Sequence, residues 1–135
     1  MILMMTSGRG SVYLDIARQR MSVLDMAGAK RYMEKALECF KEDEHYEGVI
    51  QCLLHLSDVF LYIGSYGEAE ACSRAALENA TEKGLRHYVP QCYNSLGMAK
   101  LISASDKAQG ISYLMKSLDM LARDGATAVG TKRRA

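Results

Sequence analysis

The sequence predicts an all-α fold made of three helical hairpins in a row. Three observations carry that prediction. The chain resembles itself at a shift of 40 residues, small residues return at fixed places in each copy, and one proline with no tryptophan leaves long stretches without a helix breaker. Tyr13, Leu53 and Tyr93 coincide under the shift, as do Ile16, Leu56 and Leu96, and then Ala17, Ser57 and Gly97. Further along, Ala29 matches Ala69, Met33 matches Ser73, Ala36 matches Ala76, and Leu37 matches Leu77. With one extra residue in the loop "SASDKAQG", the third copy continues through Gly110, Tyr113, Leu114, Ser117 and Leu118.

The recurring residue types explain why the copies should be hairpins. Ala17, Ser57 and Gly97, and again Ala36, Ala76 and Ser117, put small side chains where two helices cross. Large apolar residues one to four positions away fill the space around each crossing at helical spacing.

Residues 1–10, with the glycine-rich "SGRG", read as a flexible lead. The first repeat, 11–48, is expected to hold helices over about 10–24 and 27–43. The second, 49–88, follows with helices over about 46–63 and 66–82, Gly64, Gly67 and Gly84 marking turns and helix ends. The third, 89–122, has helices over about 88–103 and 107–122, and Pro90 suits an opening turn because its missing amide hydrogen costs nothing there. The remaining 123–135, small and then basic, has no apolar periodicity and is expected to be a mobile tail.

Composition narrows the function classes. With 135 residues, 49% of them hydrophobic and 24% charged, the chain has the make-up of one globular domain. Seventeen basic and 16 acidic residues give a net charge of +1, so no global field draws it to nucleic acid or an anionic membrane. The apolar run "MILMM" is too short for a secretory signal core or a bilayer span, which points to a cytoplasmic, intracellular protein. Cys39, Cys52, Cys72 and Cys92 lie 13, 20 and 20 residues apart, without a zinc-type spacing, and each falls in an apolar helical stretch. All four read as reduced core thiols.

No nucleophile elbow, phosphate-cradling loop or cysteine and histidine motif is present, so no enzyme activity and no cofactor are expected. His45, His55 and His87 are scattered, and no metal site is expected from them. The acidic "KEDEH" at 41–45 reads as a solvated helix end. "TKRR" at 131–134 is too short a basic run to predict nucleic-acid binding, and the tyrosines form no stacking stripe with interleaved arginines.

At these residues the chain resembles the tetratricopeptide repeat family, in a long form of about 40 residues per copy rather than the usual 34. The second copy carries the pattern best, with Leu53, Leu56, Ser57 and Phe60 on its first helix and "GSYGEA" leading through Ala69 to Ala76. The third keeps Leu96 and Gly97 and the closing "YLMKSLDM"; the first keeps "AKRYMEKALE" but has Arg20 where the aromatic belongs.

The resemblance implies a right-handed superhelical solenoid whose first helices line a concave wall. In that register Asp15, Arg18, Gln51, Leu54, His55, Asp58, Tyr62, Gln91, Asn94, Ser95, Met98 and Leu101 face inward. Of these, Arg18, Gln51, His55, Asp58, Tyr62, Gln91, Asn94 and Met98 are the expected partner contacts, a mixture of amides, charges and apolar spots suited to a peptide. Carboxylate-clamp grooves of chaperone co-factors need a lysine among such residues, and the second copy offers Asp58 instead.

The expected function is a non-catalytic scaffold that binds a partner peptide or helix in the groove. The rivals are a peptide-sensing domain of a larger regulator and a self-assembling structural unit. Self-assembly is suggested by the final helix, where Ile111, Leu114, Met115, Leu118, Met120 and Leu121 form a wide apolar stripe with no capping helix after it. A homo-oligomer through such uncapped ends is the second kind of partner expected, and "MILMM" could cover a neighbour.

Overall fold

A computed structural model describes the backbone of residues 2–134 and the side chains of residues 8–125. Among the described residues six helices follow one another: α1 (Ile2–Ser22), α2 (Met26–Glu42), α3 (Tyr46–Ile63), α4 (Tyr66–Glu82), α5 (Val89–Ser103) and α6 (Lys107–Arg134). A single 3-10 turn, Arg86–Tyr88, precedes α5, and there is no strand among the described residues. None of the described helices is long and apolar enough to cross a membrane.

Each helix packs on the next in the chain, while α1 also touches α3 and α3 touches α5. The odd helices therefore form one layer and the even helices the other. Ala17, Ala29, Met33, Ala36, Ile50, Cys52, Val59, Ala69 and Ala76 are completely buried between them.

The helix junctions follow a 20-residue rhythm. A left-handed residue ends the helix at Leu24 (φ 62), Glu44 (φ 53), Gly64 (φ 84), Gly84 (φ 67) and Ala104 (φ 57). At the first four junctions the next amide reaches back to close the turn: Asp25 to Arg20 O, His45 to Phe40 O, Ser65 to Phe60 O and Leu85 to Ala80 O, at 2.8–2.9 Å. This is the usual left-handed stop for a helix, favoured by glycine because it has no Cβ to clash with the backbone. Only two of the five positions hold glycine. Two of the following helices, α2 and α3, are then capped by side chains, Asp25 Oδ1 accepting from Gly28 N at 3.0 Å and His45 Nδ1 from Gly48 N at 2.9 Å.

Side-chain pairs repeat as well. Tyr13 stacks on Tyr32 with ring centroids 6.3 Å apart, and Tyr93 stacks on Tyr113 at 5.7 Å. Lys35 lies over the Tyr13 ring at 5.7 Å, and its counterpart Lys116 lies over Tyr93 at 4.6 Å. In the second hairpin the same two ring positions are Leu53 and Cys72. One contact set is thus built twice, 80 or 81 residues apart.

The small residues at the helix crossings serve three different solutions. Ala17 and Ala29 are both fully buried in the first hairpin. In the second, Ser57 Oγ donates to Ala69 O at 2.9 Å. The third is closest: a Cβ on Gly97 would come 2.8 Å from Gly110 O.

Two boundaries differ from the sequence reading. The expected flexible lead over 1–10 is helix from Ile2 onward, and at Gly10 its bare backbone lies against the buried Phe40 ring of α2. The expected mobile tail over 123–135 continues α6 to Arg134. Nothing in 123–134 breaks a helix as proline would, and an Arg123–Asp119 pair at 3.0 Å supports its start. The side chains of "MILMM" and "TKRR", and any cover or phosphate contact they make, lie outside the described residues.

Candidate functional site

The layer of odd helices carries a groove of about 600 Å³, lined by α1, α3, the 3-10 turn and α5. Its polar lining is Arg18, Gln51, His55, Asp58, Gln91, Asn94, Ser95 and the Tyr88 hydroxyl; Leu14, Leu54 and Met98 supply the apolar parts. Seven of the eight expected contact residues therefore meet in one concavity: Arg18, Gln51, His55, Asp58, Gln91, Asn94 and Met98.

Helical repetition explains the meeting. Leu14, Leu54 and Asn94 hold one register position on three successive odd helices, and Arg18, Asp58 and Met98 hold the position one turn later. Because the odd helices lie side by side, such residues form rows across the groove. Gln51 and Gln91 form part of a third row.

Tyr62 is the exception. It lies one turn past Asp58, in the last turn of α3 before the Gly64 stop, and is 60% exposed outside the groove lining. Asp15 and Leu101 also stand outside the lining; Asp15 is exposed and Leu101 packs against Gly110.

Leu14 and Tyr88 are lining residues that the sequence reading omits. Leu14 was legible as the counterpart of Leu54, but an emphasis on polar residues passes over it. Tyr88 carried no such signal, since it precedes α5 in a turn that the repeat does not share. Its hydroxyl accepts from Gln51 Nε2 at 3.0 Å, which restrains the amide across the α3–α5 gap.

The electrostatics of the groove set it apart from an open helix face. Burial lowers the His55 pKa below its ordinary 6.5, and the nearby Arg18 charge lowers it further, so His55 is neutral at pH 7. Although Asp58 as a residue remains exposed at the mouth, burial of its carboxyl against the wall raises its pKa above 3.8. Among the described residues no ion pair joins Arg18 or Asp58 to any partner.

The groove floor is stiffened from behind. Ser73 Oγ lies 2.7 Å from both Ser57 Oγ and Ser95 Oγ, and Ser95 donates to Ser57 at 3.2 Å. These three hydroxyls link α3, α4 and α5 under the lining residue Ser95. Beside them Glu70 on α4 pairs with the nearly buried Lys100 on α5 and with Arg74 at 3.2 Å. The hydrogen bond from Lys100 holds the Glu70 carboxyl below its usual range.

The other candidate residues have structural roles. His45 caps α3, and His87 Nε2 faces Glu47 at 3.8 Å. Among the described residues no three histidine, cysteine, aspartate or glutamate side chains gather to hold a metal ion. All four cysteines are free thiols; burial pushes Cys52 up to about 12, and Cys72 and Cys92 up to about 11.

At the C-terminal end of the stack, Ile111, Met115, Leu118 and Leu121 are exposed on α6, while Leu114 and Met120 are half-buried. Leu114, Ser117, Leu118 and Leu121 join Gln91 and Asn94 around a second concavity of about 400 Å³. The same face of α2 and α4 receives the next odd helix, through Lys30 over the Phe60 ring at 5.7 Å and through the Glu70–Lys100 pair. Ile111 occupies that register position on α6.

No protein-family model matches the chain, and no curated protein matches it significantly.

Proposed function

We propose that the chain is a non-catalytic protein-interaction module, a right-handed superhelical solenoid of three tetratricopeptide-like hairpins. It binds a partner peptide or helix along the concave layer of α1, α3 and α5. The observation that carries this reading is the convergence of seven register-selected residues in one groove of about 600 Å³. Gln51, Gln91 and Asn94 offer both donors and acceptors to a peptide backbone, and Leu54 and Met98 offer apolar contacts. A stiff floor suits such a task, since a pre-formed groove loses little entropy on binding.

The test is capture from the source cells with the native chain and with a Gln51→Ala, Asp58→Ala, Asn94→Ala variant of equal helicity. A partner retained by the native chain and lost by the variant supports the groove. Equal retention by both refutes it.

A second reading, self-assembly, rests on the exposed face of α6. Exposed apolar area of this kind is normally covered in an assembly. A mass that rises with concentration, and falls back to monomer in a Met115→Lys, Leu118→Lys variant, would support it; a constant monomer mass removes it.

A further inference from the structure

We infer that the groove reads an extended segment by charge order, an acidic residue, then a basic one, then an apolar one, at intervals of about three residues. The inference rests on the groove-binding reading above and gives its partner a chemistry.

The row formed by Arg18, Asp58 and Met98 carries it. These residues hold one register position on α1, α3 and α5, and all three line the same groove. Across the layer the row reads cation, anion, apolar. Such a row is complementary to a ligand of the opposite charges in the same order, and to a mismatched order it presents like charges, which repel.

Among the described residues no ion pair involves Arg18 or Asp58. Burial is what raises the Asp58 carboxyl. A basic ligand group above Asp58 would offset that burial cost, and an acidic group above Arg18 would find a planar donor fork suited to a carboxylate.

The interval follows from geometry. Neighbouring helices in a layer lie about 8–10 Å apart, and an extended chain advances about 3.3 Å per residue. Successive members of the row are then met by residues about three apart. The amides of Gln51, Gln91 and Asn94 remain for the intervening backbone.

The test is selection of random dodecapeptides displayed on phage, against the native chain and an Arg18→Asp, Asp58→Arg variant, both verified as folded by helicity. The native chain should enrich acidic-x-x-basic-x-x-apolar peptides, in either chain direction. The exchanged variant should enrich basic-x-x-acidic-x-x-apolar peptides, each protein preferring its own set at least tenfold in a binding assay. Should the exchanged variant not fold, Arg18→Gln and Asp58→Asn each must abolish the preference at its own position alone. Peptides that lose binding with Gln51→Ala, Asn94→Ala yet show no charge order overturn the inference and leave the groove reading standing. Peptides indifferent to those two substitutions, or no enriched peptides at all, overturn both.

Discussion

Ser73 on α4 and Ser95 on α5 place their hydroxyl oxygens 2.7 Å apart in the buried seam between the second and third hairpins. Through Ser57, 2.7 Å from Ser73, the contact extends to α3. A single hydroxyl on α4 thus joins two helices of the groove wall.

Ser73→Ala removes the central hydroxyl and leaves Ser57 and Ser95 with fewer buried partners. Both keep a partner, Ser57 in Ala69 O and Ser95 in Ser57, so the expected loss is about 0.5–1.5 kcal/mol of unfolding free energy, read from the urea midpoint at unchanged slope. A change within about 0.3 kcal/mol would mean that the cluster adds nothing net.

The left-handed turns predict gains instead of losses. Leu24→Gly and Glu44→Gly each relieve a side chain held at positive φ, in a turn where Gly64 and Gly84 show that glycine fits. Relief of about 1–2 kcal/mol, less the entropy glycine brings to the unfolded chain, leaves a gain of about 0.5–1 kcal/mol each. The two sites belong to separate turns, so the double variant should show the sum in thermal melting. A lower melting temperature for either would show that the side chain contributes more than its backbone strain costs.

The pH response follows from His55 and Asp58. The fold disfavours the protonated form of His55, so stability is unaffected by this group above pH 6.5 and declines as pH falls below that value. A His55→Gln chain should show a shallower decline between pH 7 and 5. For Asp58 the disfavoured form is the anion; its cost is present at neutral pH and disappears as pH falls toward 3.8. Asp58→Asn is therefore expected to stabilise the chain at pH 7, by no more than about 0.5 kcal/mol because solvent screens the exposed residue. Identical acid profiles for the native and His55→Gln chains would contradict the first assignment.

Thiol chemistry gives an independent check of the packing. With pKa values of about 11 for Cys72 and Cys92 and about 12 for Cys52, almost no thiolate exists at pH 8. An alkylating reagent should modify these three far more slowly than a free cysteine, and at the ordinary rate once the chain is unfolded in denaturant. Rapid native-state labelling of Cys52, which is completely buried, would mean that the α2–α3 seam opens readily.

The internal edges of the fold were legible because each had a chemical mark. Helices α3 and α4 fall on the expected 46–63 and 66–82, bounded by Gly64 and by the acidic turn before Tyr46. The outer edges were not, since the glycine-rich "SGRG" and the small and basic residues after Ala122 carry no apolar periodicity to mark a helix. In the groove, the register gathered seven residues but could not separate Asp58 from Tyr62, which share a helix face and differ in their distance from the turn. The serine cluster left no periodic trace: Ser57, Ser73 and Ser95 each correspond to non-serine residues in the other copies. Only the packing of three helices brings them together.

The most direct measurement of the central claim is site-specific photocrosslinking in the source cells, with the reactive side chain placed at Asn94 in the groove or at the exposed Glu78 on α4. The account predicts adducts to a partner polypeptide from position 94 and none above background from position 78. Adducts from position 78 alone, or equal adducts from both, would contradict it.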